Sequence, residues 1–223
     1  MIATIFRHFH RHRVGPAFKL WRSFFGNVAW SVALRHLMFG SIVFAASNTI
    51  AQTAFTVPDG YVEKKLDVTG GRIAVPKDWF FSDGRTNSGW AWVISAQDQA
   101  KGRYETGLQL HAIVGVELTM KKSRRAFVKD FLSEKKASTA VLRECPETNQ
   151  GKLKRQCLEV VEDIKRNGET MRYHILYWVF WSNEVDIVGM FMFGAPQDQW
   201  ASAKQVGEVL AQLEFIGPSF GTE

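Results

Sequence analysis

The chain lacks acidic residues at its start, where the first acid is Asp59. The segment before it carries six basic residues, and the rest of the chain carries 22 basic and 22 acidic residues. The net charge of +6 therefore belongs to the N-terminal segment alone. The neutral remainder lacks the basic excess on which nucleic-acid binding depends, so the sequence predicts no nucleic-acid partner. The six basic residues are Arg7, Arg11, Arg13, Lys19, Arg22 and Arg35.

The apolar run that follows these basic residues is too short to span a bilayer. It covers residues 37–46, about half of the roughly 20 residues that a spanning helix needs, and Arg35 interrupts any extension toward the N-terminus. Thr49 and Ala51 occupy the −3 and −1 positions of a small-residue cleavage site. This pattern is typical of an export signal. We expect residues 1–51 to be a signal peptide and the mature protein to be periplasmic or secreted.

Two other interpretations of the leader stay open. If residues 24–46 are retained, the protein is an accessory subunit anchored in the inner membrane, and the membrane is contacted through the leader alone. A mitochondrial-type transit peptide, which is also rich in arginine and poor in acids, is the second alternative.

Three histidines near the start of the leader, His8, His10 and His12, have the alternate spacing with which side chains on one face of a strand can bind a metal ion. The neighbouring arginines, however, repel a cation. The sequence therefore predicts no metal site there.

Cysteine is scarce, and both cysteines, Cys145 and Cys157, follow the leader. An even number of cysteines in an exported chain predicts a disulfide bond, with free thiols as the alternative. The pair flanks the turn-rich residues 146–151, so we expect the bond to fasten a loop between two strands. The chain-entropy model gives about 3 kcal/mol for a closed loop near this size. The spacing of the two cysteines differs from the Cys-x-x-Cys of redox enzymes, so the sequence does not favour a redox-active pair.

Known catalytic and cofactor motifs are missing. The chain has no P-loop, no Gly-x-Ser-x-Gly, no His-Glu-x-x-His and no Gly-x-Gly-x-x-Gly. Only His111 and His174 remain as histidines after the leader. We predict no catalytic residue, no cofactor and no metal. The alternative, an enzyme with an unrecognised active site, needs one of these histidines in a concave pocket beside a carboxylate.

The hydrophobic pattern predicts an α+β fold in one domain. We expect an antiparallel sheet with a C-terminal three-strand meander over residues 152–193, and two main helices packed on the sheet. Ser123 is the expected N-cap of the first helix, and Pro196 the first residue of the second. Gly217 and Pro218 are expected to end that second helix. The expected divisions are a leader at 1–51, a linker and first short strand at 52–65, the domain at 66–216 and a tail at 217–223.

The shorter elements follow from turn residues. Gly70 and Gly71 predict a hairpin within residues 66–75, and Asn167 with Gly168 predicts the turn of a second hairpin. The remaining predicted strands are 90–95, 107–114, 137–143, 152–163, 169–181 and 185–193.

Strand residues 173–181 are large and apolar at nearly every position. Successive strand residues point to opposite faces, so the pattern favours a sheet that is covered on both sides. If one face is open, four aromatic side chains are the candidate lining of an apolar groove. They are Trp90, Trp92, Tyr177 and Trp181.

Three segments resemble PsbP-like and DcrB-like proteins. They are the strand and turn from Ile73 to Trp79, residues 92–95, and the stretch from Tyr104 to Leu108 that opens the next strand. The resemblance covers roughly residues 61–216. It implies an α/β/α sandwich and a binding or assembly role without a shared active site. Together with the leader, it predicts an exported, non-catalytic binding or assembly module with a protein partner in the cell envelope, and leaves the oligomeric state open.

Overall fold

The computed structural model describes residues 55–102, 104–166, 169–218 and 220. The leader, its predicted cleavage site and the turn predicted at Asn167 and Gly168 lie outside the described residues. Within the described part, no helix has both the length and the apolar character that crossing a membrane requires.

The architecture is α+β and is built on a seven-stranded antiparallel sheet with the order β3-β4-β5-β9-β8-β7-β6. The meander is confirmed, since β7, β8 and β9 are consecutive neighbours. The strands are β3 (Phe80–Thr86), β4 (Gly89–Ser95), β5 (Gly107–Val114), β6 (Ala140–Gln150), β7 (Leu153–Arg166), β8 (Glu169–Ser182) and β9 (Ile187–Pro196).

A second sheet of three strands has the order β1-β2-β10. Its strands are β1 (Tyr61–Leu66), β2 (Gly70–Pro76) and β10 (Glu214–Ile216). Strand β1 lies largely within the segment expected as linker and first short strand, and it pairs with β2 along its whole length. The segment before the predicted domain therefore supplies an edge strand of the small sheet.

Three helices complete the fold: α1 (Val116–Met120), α2 (Arg124–Ser138) and α3 (Trp200–Leu210). Ser123 caps α2, as predicted, because its Oγ accepts a hydrogen bond from the amide of Ala126 at 3.2 Å. On one face of the large sheet, Phe131 of α2 packs edge-on against Tyr177, with ring centroids 5.7 Å apart. The helix is thereby fixed over β8.

The opposite face of the large sheet carries α3 and the small sheet. Phe180 stacks on Phe215 of β10, with ring centroids 5.7 Å apart. The ring of His174 packs edge-on against Trp200 of α3, with ring centroids 5.1 Å apart. Both faces of the sheet are therefore covered, as the two-sided apolar pattern predicts. The core between these layers contains the fully buried side chains of Trp92, Leu110, Phe180, Phe191, Phe193 and Phe215.

The first hairpin differs from the prediction at Gly70 and Gly71. Its turn lies at residues 67–69, where Thr69 donates from its hydroxyl to the carbonyl of Leu66, and both glycines belong to β2. A Cβ on Gly71 would overlap the backbone of β10 at Glu214 and Phe215. Gly71 therefore serves the close approach of a distant strand.

Helix α3, which corresponds to the second of the two predicted helices, begins later and ends earlier than predicted. Pro196 is the last residue of β9, and the amide of Gln197 continues the ladder by donating to the carbonyl of Arg172 at 2.9 Å. The helix starts at Trp200 and ends at Leu210, well before Gly217. It stops because the next residues form β10, which pairs with β2.

The segment expected as a loop, residues 146–151, is largely strand. Strand β6 continues to Gln150, with a register shift between Cys145 and Thr148 that accommodates Pro146. The start of β6 also differs, because α2 runs to Ser138 and the strand begins only at Ala140.

Candidate functional site

A small open pocket of about 230 Å³ lies beside Trp79, where three separate segments meet. Trp79 comes from the turn between β2 and β3, and the second segment is the connection between β4 and β5. The third wall is the start of α3. The lining residues are Trp79, Ala96, Gln97, Thr106, Gln199, Ser202, Ala203 and Val206.

Trp79 is placed by the turn that follows β2. Its amide donates to the carbonyl of Pro76 at 3.1 Å, and the half-buried indole stacks on Phe193 with centroids 6.4 Å apart and planes 12° from parallel. Phe193 is fully buried, so this contact joins the pocket wall to the core. The ring is therefore held in one orientation before any ligand arrives.

Two glutamines are oriented by hydrogen bonds to their carbonyl oxygens. Gln97 Oε1 accepts from the amides of Glu105 at 3.0 Å and Thr106 at 3.3 Å. The hydroxyl of Thr106 donates to Gln199 Oε1 at 3.0 Å. Gln97 Oε1 therefore accepts two hydrogen bonds and Gln199 Oε1 accepts one, so each side-chain NH₂ group is a donor available to a ligand and Gln199 Oε1 keeps one acceptor position. No described residue accepts a hydrogen bond from either NH₂ group.

The pocket contains no charged side chain among its lining residues. Ser202 donates its hydroxyl to the carbonyl of Gln199 at 2.9 Å, which leaves the lone pairs of its oxygen as acceptors. An aromatic wall with amide donors and hydroxyl acceptors binds uncharged polar groups, whereas acid–base catalysis needs a titratable group. This arrangement can bind and orient, and it supplies no proton-transfer group.

The four aromatic residues considered as a groove do not share one surface. Trp92 lies in a row with Leu110 and Trp178, and Trp90 shares that face. Tyr177 and Trp181 alternate with Trp178 on β8, so they point to the opposite face. Trp92, Tyr177 and Trp181 are 0, 1 and 2% exposed, and Trp90 is half-buried. These side chains pack into the core on the two opposite faces of the large sheet, so they do not line a common groove.

Tyr177 belongs to a buried polar cluster that fastens α2 to the sheet. Its hydroxyl donates to Glu162 Oε1 at 2.9 Å, and Lys135 Nζ of α2 approaches the same oxygen at 3.1 Å. The Lys135 ammonium also lies 5.1 Å from the centre of the Tyr177 ring. Burial and the neighbouring Glu162 raise the pKa of the Tyr177 hydroxyl, so the group stays a hydrogen-bond donor.

The two histidines lie on opposite faces of the large sheet and outside the pocket. His111 shares a row with Ala91 and Met190, whereas His174 lies on the α3 side. Neither imidazole has a carboxylate hydrogen-bond partner among the described residues. Burial lowers the pKa of both groups, and for His174 the charge of Glu159 opposes this effect while that of Lys204 adds to it.

The lowered pKa of His111 predicts a loss of stability at acid pH. Burial makes the His111 imidazole harder to protonate in the folded state than in the unfolded chain, where it takes up a proton near the ordinary pKa of 6.5. We therefore expect the free energy of unfolding to fall as the pH drops below about 6.5. His111→Leu should make that fall shallower, as measured by urea unfolding between pH 5 and 8. An identical pH dependence in both proteins would show that His111 does not cause the loss of stability at acid pH.

Cys145 and Cys157 form a disulfide bond. They are direct partners across β6 and β7, and their Cα atoms are 4.8 Å apart. The bond joins two paired strands, so it closes an edge hairpin and not a free loop. Within the described part of the chain, no group of three or more His, Cys, Asp or Glu side chains could hold a metal ion.

No protein-family model and no curated protein sequence matches the chain. Solved structures that are similar to it include a PsbP protein of the cyanobacterium Synechocystis, at 12% identity with a TM-score of 0.45, covering 70% of this chain and 92% of that one. PsbP is one of the two families that the segment from Ile73 to Trp79 resembles.

Two further similar structures come from a yeast and a mycobacterium. The Ran-binding protein Mog1p of Saccharomyces cerevisiae is 14% identical with a TM-score of 0.44, covering 72% of this chain and 98% of Mog1p. LpqN of Mycobacterium tuberculosis, which is described as involved in cell envelope biogenesis, is 16% identical with a TM-score of 0.40. That match covers 64% of this chain and 82% of LpqN.

Proposed function

We propose that the protein is an exported, non-catalytic binding module whose pocket beside Trp79 receives an uncharged polar group of its ligand or partner. The observation that carries this proposal is the pocket lining. A fixed indole, two amide groups held by their oxygens, and a serine hydroxyl converge there without any charged side chain.

The size of the pocket limits what it can bind. Pockets for drug-sized ligands or cofactors have volumes of roughly 300–1,000 Å³, and this pocket is smaller and open. It therefore accommodates one ring or one side chain that protrudes from a larger molecule. The indole provides apolar contact, and the NH₂ groups of Gln97 and Gln199 provide donors to hydroxyl or carbonyl oxygens.

Export is supported by the leader and by the disulfide. A basic, acid-free segment with a short apolar run precedes the folded domain, and residues 49–51 supply the cleavage pattern. Disulfides of this structural kind persist in oxidising compartments and are rare in the cytosol. A periplasmic or secreted location accounts for both features, and a partner in the cell envelope is the corresponding expectation.

The pocket is tested by filling it. Ser202→Arg places a long charged side chain in the pocket, and Ala201→Arg places the same side chain at the neighbouring exposed position, which does not line the pocket. Glucose, N-acetylglucosamine and acetamide serve as uncharged probes in NMR titrations. We expect them to shift the Trp79 indole signal in the unmodified protein and in the Ala201 variant, but not in the Ser202 variant.

Two results would overturn the proposal. One is the absence of any shift at Trp79 with all three probes. The other is a shift of equal size in the Ser202→Arg protein. Because Ser202 and Ala201 are both exposed, neither variant should change the free energy of unfolding by more than about 0.5 kcal/mol, which separates loss of binding from loss of folding.

A further inference from the structure

We infer that β3 is a dimerisation edge, along which two copies of this chain pair antiparallel about a two-fold axis at Gly84. The partner is a second copy of the same domain, and the two large sheets become one continuous sheet. The inference is independent of the pocket and of export, because it depends on the edge of the large sheet alone.

Strand β3 is the regular outer strand of the large sheet. Its seven residues pair with β4 without any register shift, from Phe80 opposite Ser95 to Thr86 opposite Gly89. It contains no proline, and no described strand lies on its outer side. Such an edge presents a row of backbone N–H and C=O groups that another strand can pair with.

The opposite edge, β6, is protected in several ways. It contains Pro146 and two register shifts, which interrupt the ladder that an added strand would need. Its charges are used within the chain, because Arg143 pairs with Glu159 at 3.1 Å and Glu144 pairs with Lys136. The contrast between the two edges points to β3 as the one left open for pairing.

The charges on β3 are the second observation. Asp83 and Arg85 are both exposed and lie opposite Trp92 and Trp90 of β4, so they share one face of the sheet. Among the described residues, neither forms an ion pair. The indole N–H of Trp90 donates to Asp83 at 3.3 Å, which leaves the carboxylate without a cation.

A two-fold axis at Gly84 resolves these unpaired charges. Antiparallel pairing about this residue places Asp83 of each copy directly opposite Arg85 of the other, and opposite charges on facing strand residues attract. An axis at Asp83 or at Arg85 would instead oppose like charges. An axis at Ser82 would place Asp83 opposite Phe81. The charge pattern therefore selects one register among the four.

The strand is also uncrowded at the axis on the face that a side chain of residue 84 would occupy. A Cβ built on Gly84 would meet no heavy atom within 4 Å there. A symmetric interface of this kind uses the same patch on both copies and closes at two subunits. It leaves no open edge of β3 for further growth.

The charge register is tested with complementary variants. Arg85→Asp leaves two acids on each copy, and Asp83→Arg leaves two bases, so each variant alone should dimerise roughly tenfold more weakly or worse. An equimolar mixture of the two variants, and the double variant with both changes, should restore the dimer. Sedimentation equilibrium on the protein as isolated from cells measures each dissociation constant.

A matched control is Asp67→Arg, which makes the same charge change in the exposed turn between β1 and β2. It should dimerise like the unmodified protein, and circular dichroism should show that every variant is folded. The inference would be wrong if the unmodified protein stayed monomeric at all concentrations. It would also be wrong if a mixture of the two single variants associated no better than either variant alone.

Discussion

Replacing Gly71 with alanine should destabilise the domain by about 3 kcal/mol or more. The new Cβ would overlap the carbonyl oxygens of Glu214 and Phe215 in β10. These are backbone atoms within a paired strand, so they cannot rotate away as the end of a flexible side chain can. The clash is relieved only by separating β10 from β2, with which it forms the small sheet.

The effect should reach the core, because β10 carries Phe215. This ring is 1% exposed and stacks on Phe180 of the large sheet. If β10 moves outward, apolar surface between the two sheets is exposed to water, and burial of such surface is the main source of stability. We therefore expect a lower midpoint of unfolding and also a looser native state with weaker near-ultraviolet circular dichroism.

Gly194→Ala is the matched control for this prediction. It makes the same chemical change in β9, where the added methyl group would make only ordinary van der Waals contacts, at 3.5 Å from the carbonyl oxygen of His174 and 3.6 Å from the Ile175 side chain. We expect its stability to stay within about 1 kcal/mol of the unmodified protein. Urea unfolding followed by tryptophan fluorescence compares the three proteins. Equal stability of the two alanine variants would show that β10 does not approach Gly71 as described.

The sequence predicted those elements whose signals are local. Strand β5 alternates clearly over residues 107–114, and its bounds agree with the structure. The start of α2 follows from Ser123, since a serine that accepts a backbone hydrogen bond is a local cap. The meander follows from three apolar stretches that are long enough to be strands and are separated by turn residues.

Elements whose own residues give a weak signal, and which form because another strand pairs with them, were missed. Strand β3 contains Asp83 and Gly84, which have low strand propensity, and it exists because β4 supplies its ladder. The three residues of β10 look like the end of a helix until β2 is placed beside them. The misplaced hairpin turn has the same origin, since Gly71 is required by β10 and not by the turn.

The candidate pocket could not be predicted from spacing. Trp79, Gln97 and Gln199 come from segments that are far apart in the chain, and none of them belongs to a sequence motif with known chemistry. In the sequence, Trp79 belongs to the segment from Ile73 to Trp79 that resembles PsbP-like and DcrB-like proteins, and this resemblance implies no pocket. The stacking of Trp79 on Phe193 and the packing of α3 on β9 bring these residues together. Both are tertiary contacts, which spacing along the chain does not reveal.

Loss of the bond between Cys145 and Cys157 should lower the free energy of unfolding by about 3 kcal/mol. The cysteines are 12 residues apart and close a hairpin at the exposed edge of the large sheet. In the unfolded chain the bond removes conformations that the reduced chain would regain. In the folded state it holds β6, which has only β7 as a strand neighbour among the described residues.

The double variant Cys145→Ala with Cys157→Ala measures this contribution without adding reductant. Cys157 is 1% exposed, so alanine avoids placing a hydroxyl group in the core. Urea unfolding of the oxidised protein, the protein in excess reductant and the double variant should give one stable and two destabilised transitions. Reductant should leave the double variant unchanged. A protein that unfolds at the same urea concentration with and without reductant would show that the bond contributes nothing.

The same bond makes export measurable. Protein from the envelope fraction should begin at Gln52 and contain no free thiol, because the compartment oxidises the pair. A form that lacks residues 1–51 should stay in the cytosol with both thiols reduced, and should be less stable by about the same 3 kcal/mol. The double alanine variant should have equal stability from both compartments, since it has no bond to form. A retained leader on oxidised protein would instead support the membrane-anchored alternative, because the domain would then face the oxidising side while residues 1–51 stayed attached.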